Sequence, residues 1–254
     1  VSDEVLAEVG DGVAVITINR PQARNAINGA VARGIAAVLD EFEERADVSV
    51  YVLTGAGGTF CAGMDLKGFL KGDLPFLEGR GFGGIVEAPP RKPIVAAVEG
   101  YALAGGFELA LACDIIVASE KAVFGLPEPK RGLVAAAGGV MRLPRRIPYH
   151  VAMEIALTGD HFPASRLSEV GLVNHVTPEG EALTRAVELA KRIAGNAPLS
   201  LAATKRVIVE SADWSAGEMF ARQAEIIDPV FASKDAQEGA AAFAEKRAPV
   251  WKGE

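Results

Sequence analysis

Cysteine and histidine are scarce in this chain: two Cys (Cys61 and Cys113) and three His (His150, His161 and His175) in 254 residues. Two cysteines cannot build a disulfide framework, and the histidines share no metal-ligand spacing with them, so neither a disulfide scaffold nor a metal centre is expected. Cys61 has no histidine in its own motif and reads as a small buried hydrophobe, and the histidines as surface or core residues. Aromatic residues make up only 6%, and cations are the minority, with 26 Lys and Arg against 33 Asp and Glu, a net charge of −7. A chain of that sign repels phosphate backbones, which argues against nucleic acid as a partner, and any anionic ligand must be met by a local basic cluster. No G-x-G-x-x-G and no Gly-Lys-Ser/Thr phosphate loop is present, so a dinucleotide oxidoreductase is not indicated. The opening residues Val1-Ser2-Asp3-Glu4 are acidic where a targeting segment is basic, and a cytoplasmic protein is expected.

Hydrophobic residues reach 50%, and Gly is abundant at 28 residues. The longest apolar run, Ile94 to Ser119, has the length of a membrane span but contains Glu99, Glu108 and Asp114. Each would cost about 2.5–3.5 kcal/mol at a bilayer centre, so the run reads as buried core, and its carboxylates need partners or a purpose.

Short apolar runs at Val13–Asn19, Val48–Leu53, Ile94–Val98, Ile115–Ala118 and Val123–Phe124 predict strands. Helical periodicity covers Ala30–Arg45, and a short helix fits Gly106–Cys113. After about Gly138 helices dominate: Tyr149–Leu157, Ala164–Val170, Glu179–Gly195, Leu199–Ser211, Ala216–Ile227 and Asp235–Arg247, with one strand candidate at Leu172–Val176. This is an α/β fold with parallel pairing, divided here into a core over 1–195 and a C-terminal helical region over 196–254. Lys67–Pro93 is glycine-rich and unpatterned, a lid or a surface loop; its Phe69, Leu70, Phe76 and Phe82 suit either an acyl pocket or lid packing.

Three stretches can carry chemistry. Gly55-Ala-Gly-Gly-Thr-Phe-Cys-Ala-Gly-Met-Asp-Leu66 follows a strand and can aim backbone N–H groups at an anionic atom, or can simply turn the chain. Gly105-Gly106 opens the short helix and places Glu108 in its first turn, either as a dipole-complementing acid or, among Phe107, Leu109, Ala110 and Leu111, as a desolvated carboxylate with a raised pKa. Glu128 is held between Pro127 and Pro129, in a rigid turn that either exposes it to water or fixes it for use. Two such carboxylates suit acid–base work at one site, where one takes a proton and the other gives one.

Together these stretches resemble the crotonase superfamily, the enoyl-CoA hydratases and isomerases. The similarity runs from Asn19-Arg-Pro-Gln-Ala-Arg-Asn-Ala26 to Phe243-Ala-Glu-Lys-Arg-Ala-Pro249, and is strongest in Phe-Cys-Ala-Gly-Met-Asp-Leu, then Gly-Gly-Phe-Glu-Leu-Ala, then Phe-Gly-Leu-Pro-Glu. The resemblance implies a crotonase-like spiral of ββα units with a C-terminal helical trimerisation region, assembled as a homotrimer or a dimer of trimers. It implies an acyl-CoA thioester substrate and no separate cofactor. The thioester oxygen would lie between the backbone N–H groups of Met64 and Gly105. Glu108 would activate water for attack at Cβ, and Glu128 would protonate Cα. CoA would be held by Arg24, Ala26, Ala62, Asp65 and Leu66, with Phe243 and Lys246 reaching a neighbouring subunit's nucleotide. Many relatives lack one or both acids, so retention of both favours an enoyl-CoA hydratase over an isomerase. Gly132-Leu-Val-Ala-Ala-Ala-Gly-Gly139 departs from the Gly-Pro or Pro-Gly form of many hydratases and is closer to carnitinyl-CoA dehydratase-like members. An RNA-binding or non-catalytic relative is the alternative from another class, and charge argues against it.

Overall fold

The structure, a computed structural model, describes residues 3–254. In chain order the strands are β1 (Val5–Gly10), β2 (Val13–Ile18), β3 (Val50–Gly55), β4 (Phe76–Leu77), β5 (Gly81–Phe82), β6 (Ile94–Val98), β7 (Tyr101–Leu103), β8 (Ile115–Ser119), β9 (Val123–Gly125), β10 (Phe162–Pro163) and β11 (His175–Thr177). The helices are α1 (Gly29–Glu43), α2 (Leu66–Phe69), α3 (Gly105–Ala112), α4 (Gly139–Arg142), α5 (Tyr149–Thr158), α6 (Ala164–Glu169), α7 (Ala182–Ala194), α8 (Pro198–Glu210), α9 (Met219–Phe231) and α10 (Lys234–Glu245).

The main sheet has the order β1-β2-β3-β6-β8-β11. All its pairs are parallel except β1–β2. That hairpin was not anticipated from the sequence; its two-residue turn, Asp11-Gly12, has both φ angles positive, 52° and 78°, as a tight hairpin requires. A second sheet, β10-β9-β7, is set apart from the first, and β4–β5 forms a small hairpin.

Strand alternation divides the main sheet between two cores. In β6, Ile94, Ala96 and Val98 join the larger core, which holds α1 and α3, whereas Val95 and Ala97 face the other side. There they meet Ala182, Ala186 and Ala190 of α7. A stripe of alanine spaced by four residues lets that helix approach the sheet closely. Both faces are covered, so β6 is buried throughout and β3 up to its last residue.

Two of the three acids inside the long apolar run join the sheet region to the helices that follow it. Glu99 accepts from Ala182 N (3.0 Å) at the start of α7. Asp114 accepts from Ile94 N (2.8 Å) and from Lys205 Nζ (2.7 Å), tying α8 to the sheet. Helices α8, α9 and α10 then stack on one another beyond the sheet. None of the helices among the described residues is long and apolar enough to cross a membrane.

Lys67–Pro93 differs from a loose lid. It holds β4 and β5, and Phe82, Ile85 and Val86 are buried in the larger core. Five of its glycines have positive φ, and four of them, Gly79, Gly81, Gly83 and Gly84, break the side-chain alternation that would have marked the hairpin.

Candidate active site

A succession of backbone hydrogen bonds assembles the site. Ala62 N donates to Arg24 O (3.0 Å), Ile27 N to Gly63 O (2.8 Å) and Asp65 N to Ile27 O (2.9 Å), so 24–27 lies alongside 62–65. On the other side Cys61 N donates to Tyr101 O (2.8 Å) and Leu103 N to Cys61 O (3.0 Å). Ala104 N donates to Gly125 O (2.9 Å), which attaches β9 and, just beyond it, the Pro127–Pro129 turn.

Small residues permit this approach. A Cβ on Gly106 would stand 2.1 Å from Cys61 O, and one on Gly63 would stand 3.4 Å from Gly105 N. The chain enters α3 through Ala104 at φ 52°, ψ −128°, a conformation that strains any residue with a Cβ and that recurs at functional turns. At this junction the N–H groups of Met64 and Gly105 donate to no group among the described residues. Both belong to adjoining segments, and Gly105 N–H also lies at the positive end of α3.

Glu108 follows within the first turn of α3 and is 3% exposed. Its Oε1 accepts from Gly139 N (2.8 Å) at the start of α4. Burial pushes its pKa up to about 7, with the Glu128 carboxylate adding to the rise and the Gly139 and Ala137 backbone and Arg142 opposing it. Glu128 is 8% exposed, and burial raises its pKa too. Its Oε2 is buried and has no hydrogen-bond partner among the described residues. A buried polar atom without a partner is costly, and here it belongs to a group held between two prolines, which leaves it available to a ligand.

The CoA-side candidates divide into two sets. Arg24 is in the left-handed region (φ 51°), exposed, with its guanidinium 5.9 Å from the Tyr101 ring centroid. Ala26 and Ala62 lie on the same pair of strand-like segments, and Leu66 follows them at the start of α2. Asp65 has its polar groups committed inside the chain: its N–H goes to Ile27, its carbonyl to Phe69 N, and its carboxylate to Arg20 Nη2 (2.9 Å) and to the N–H groups of Lys67 and Gly68 (both 3.1 Å). It therefore shapes the loop into α2, a helix of four residues. Phe243 and Lys246 lie on and just after α10, which packs on α9, and the structure does not bring them to the other candidates.

Sequence reasoning assigned no role to Gly139, Arg142 or Asn25. Gly139 acts through its backbone alone. Asn25 is fully buried and accepts from Arg20 N (2.9 Å) while donating to Ala56 O (2.8 Å) and Thr59 O (2.5 Å), locking the Arg20–Asn25 turn to the loop that follows β3. The buried Cys61 thiol is pushed up to about 12, which suits packing rather than nucleophilic attack. Among the described residues no group of three or more His, Cys, Asp and Glu could hold a metal ion. A cavity of about 760 Å³ lies between α8, α9 and the Pro89–Arg91 turn and contains neither Glu108 nor Glu128.

The unpartnered N–H groups of Met64 and Gly105 and the buried acids Glu108 and Glu128 thus lie in neighbouring segments, an arrangement with the chemistry to stabilise an oxyanion and move protons. A family model for enoyl-CoA hydratase/isomerase matches residues 8–254. The crystal structure of an enoyl-CoA hydratase from Mycobacterium marinum superimposes with a TM-score of 0.98 at 56% identity, covering 100% of both chains. An enoyl-CoA hydratase of Mycobacterium tuberculosis is 42% identical over 97% of this chain and 95% of that protein. A carnitinyl-CoA dehydratase of Proteus mirabilis is 40% identical over 94% of each. The chain belongs to the enoyl-CoA hydratase/isomerase family, the crotonase superfamily, and has its fold.

Proposed function

We propose that this protein is an enoyl-CoA hydratase that adds water reversibly across the 2,3 double bond of a 2-enoyl-CoA thioester. The observation that carries the reading is the pairing of Glu108 and Glu128, two buried acids with raised pKa values, beside the free N–H groups of Met64 and Gly105.

A pKa of about 7 leaves Glu108 partly ionised at neutral pH and able to take a proton from water. The water oxygen bonds to Cβ, the π electrons move toward the thioester, and negative charge accumulates on its oxygen as an enolate. The N–H groups of Met64 and Gly105 stabilise that charge; losing one such donor typically costs about 2.7–4 kcal/mol of transition-state stabilisation. Glu128, whose burial favours the protonated form, delivers its proton to Cα. Glu108 ends protonated and Glu128 ionised, and a proton passes back to Glu128 before the next turnover.

Arg24, Ala26, Ala62, Asp65 and Leu66 form the CoA side of the site, Asp65 by shaping the loop. Phe243 and Lys246 complete it from a neighbouring copy in a homotrimer or dimer of trimers, a state that sedimentation would read directly. The reaction needs no metal or separate cofactor.

Loss of conjugated-thioester absorbance with crotonyl-CoA tests the reading. Wild-type protein turns over, and Glu108→Gln and Glu128→Gln each lose about 10²–10⁴ in kcat. An inert wild type that still binds CoA esters would reject crotonyl-CoA hydration. The 132–139 stretch and the relatives named carnitinyl-CoA dehydratase make crotonobetainyl-CoA the second substrate to assay.

A further inference from the structure

Arg142 takes no part in the steps above, yet it is a half-buried cation at the end of α4. None of the ion pairs among the described residues includes it. Its guanidinium instead donates to two backbone carbonyls, Ala137 O (3.4 Å) and Val86 O. It also lies against the backbone of Gly138, where a Cβ would stand 2.1 Å from Nη1.

These contacts surround one hydrogen bond. Gly139, next to Gly138, donates to Glu108, and a Cβ on Gly139 would stand 3.0 Å from Glu108 Oε1. The Val86 carbonyl ends a buried segment that packs on α3 itself, since a Cβ on Gly83 would stand 2.8 Å from Leu109 Cδ2. Arg142 thus ties together the two elements that flank the helix carrying Glu108.

We propose that Arg142 is a positioning residue for Glu108: it fixes the Ala137–Gly139 turn so that Gly139 N–H meets the carboxylate, and its charge offsets that carboxylate's burial. The value of this for turnover rests on Glu108 being the hydratase base. The charged groups facing Glu108 are Glu128, which opposes its ionisation, and Arg142, which favours it. Arg142 in turn faces Cys113 and Arg146, and Glu128 faces Arg131. With Arg142 removed, burial and Glu128 act on Glu108 with no cation to oppose them.

The test uses full-length Arg142→Met and Arg142→Lys. Carbon-13 NMR of labelled glutamate side chains follows the titration, with the Glu108 signal assigned by its loss in Glu108→Gln, independently of turnover. In Arg142→Met the Glu108 midpoint moves upward by about half a pH unit or more. With crotonyl-CoA, kcat falls about tenfold to a hundredfold while KM stays within about threefold, because a misaligned base is lost from the transition state rather than from binding. Arg142→Lys keeps the charge but not the planar fork, so the midpoint returns to the wild-type value and kcat recovers only in part. A wild-type midpoint in a folded Arg142→Met, or wild-type kcat in Arg142→Lys, would overturn the proposal. Should Arg142→Met not fold, the lysine variant decides alone: a kcat deficit at an unmoved midpoint supports positioning. A midpoint that moves in a protein whose wild type does not hydrate crotonyl-CoA leaves the Arg142–Glu108 link standing and removes the hydratase reading.

Discussion

The neighbourhood of α3 and the helices after Gly195 are built on opposite terms. Around α3, backbones touch: Gly106 has no room for a Cβ against Cys61 O, and Gly55 none against Thr59 O and Phe60 O, each at 2.2 Å. Both acids are buried, and Gly139 N–H holds the carboxylate of Glu108. In α8–α10 and their connections, large apolar side chains stand in water instead, among them Ile208, Phe220, Phe231 and Phe243, the last 87% exposed. Where the backbone closes on itself in this way, the groups it carries are held in fixed positions. The C-terminal helices present apolar surface of the kind that marks contact with another molecule.

The sharpest way to break this contrast is to add one methyl group to each region. In Gly106→Ala the new Cβ meets a backbone carbonyl that cannot rotate away, so Cys61–Met64 must shift and the Met64 and Gly105 donors separate. Activity toward crotonyl-CoA is expected to fall about 100-fold or more. Gly217→Ala, where nothing lies within 4 Å and φ is not positive, should leave kcat unchanged and stability within about 0.5 kcal/mol. Equal effects at both positions, read by steady-state kinetics and thermal melts, would contradict the view that close backbone contact confers the precision.

The same contrast explains what was legible in the sequence. Where glycine or proline occupies a close approach or a tight turn, as at Gly105-Gly106 and Pro127-Glu128-Pro129, the residue type itself carries information, and these are the stretches the sequence singles out. The α1, β6 and α10 segments were legible from periodicity, within a residue or two at their ends. The hairpin strand β1 was overlooked although Asp11-Gly12 signals its turn, because its exposed face alternates with only one fully buried residue, Val5. Gly139 and Arg142 were overlooked for another reason: one contributes an N–H common to every residue except proline, and the other grips carbonyls, so neither residue type announces its task.

A smaller effect comes from the buried acid itself. Glu108 titrates near 7 in the folded chain against 4.5 when unperturbed, so between those values the native state holds a proton that the unfolded chain has released. Stability arising from this group is therefore complete below about pH 4.5 and is lost as pH rises through 7, at most about 3 kcal/mol in all. Glu108→Gln keeps an oxygen for Gly139 N–H and never ionises. It should unfold at higher denaturant concentration than wild type at pH 8, with the difference vanishing near pH 4.5. An unchanged midpoint at pH 8 would mean that the carboxylate is better solvated than its burial implies.

The smallest expected effect lies in the other region. Lys246 is exposed and lies in the left-handed turn that ends α10 (φ 56°), its N–H bonded to Phe243 O (3.3 Å). If its ammonium meets the nucleotide phosphates of CoA bound to a neighbouring copy, water screens that contact, and an exposed ion pair contributes about 1 kcal/mol or less. Lys246→Gln, which removes the charge and keeps the turn, should raise KM for crotonyl-CoA about two- to fivefold with kcat unchanged. The corresponding thioester truncated at pantetheine has no nucleotide to lose, so its KM should not move. A rise for both substrates would place the effect at the assembly of the helices, and a rise for neither would separate the C-terminal turn from substrate binding altogether.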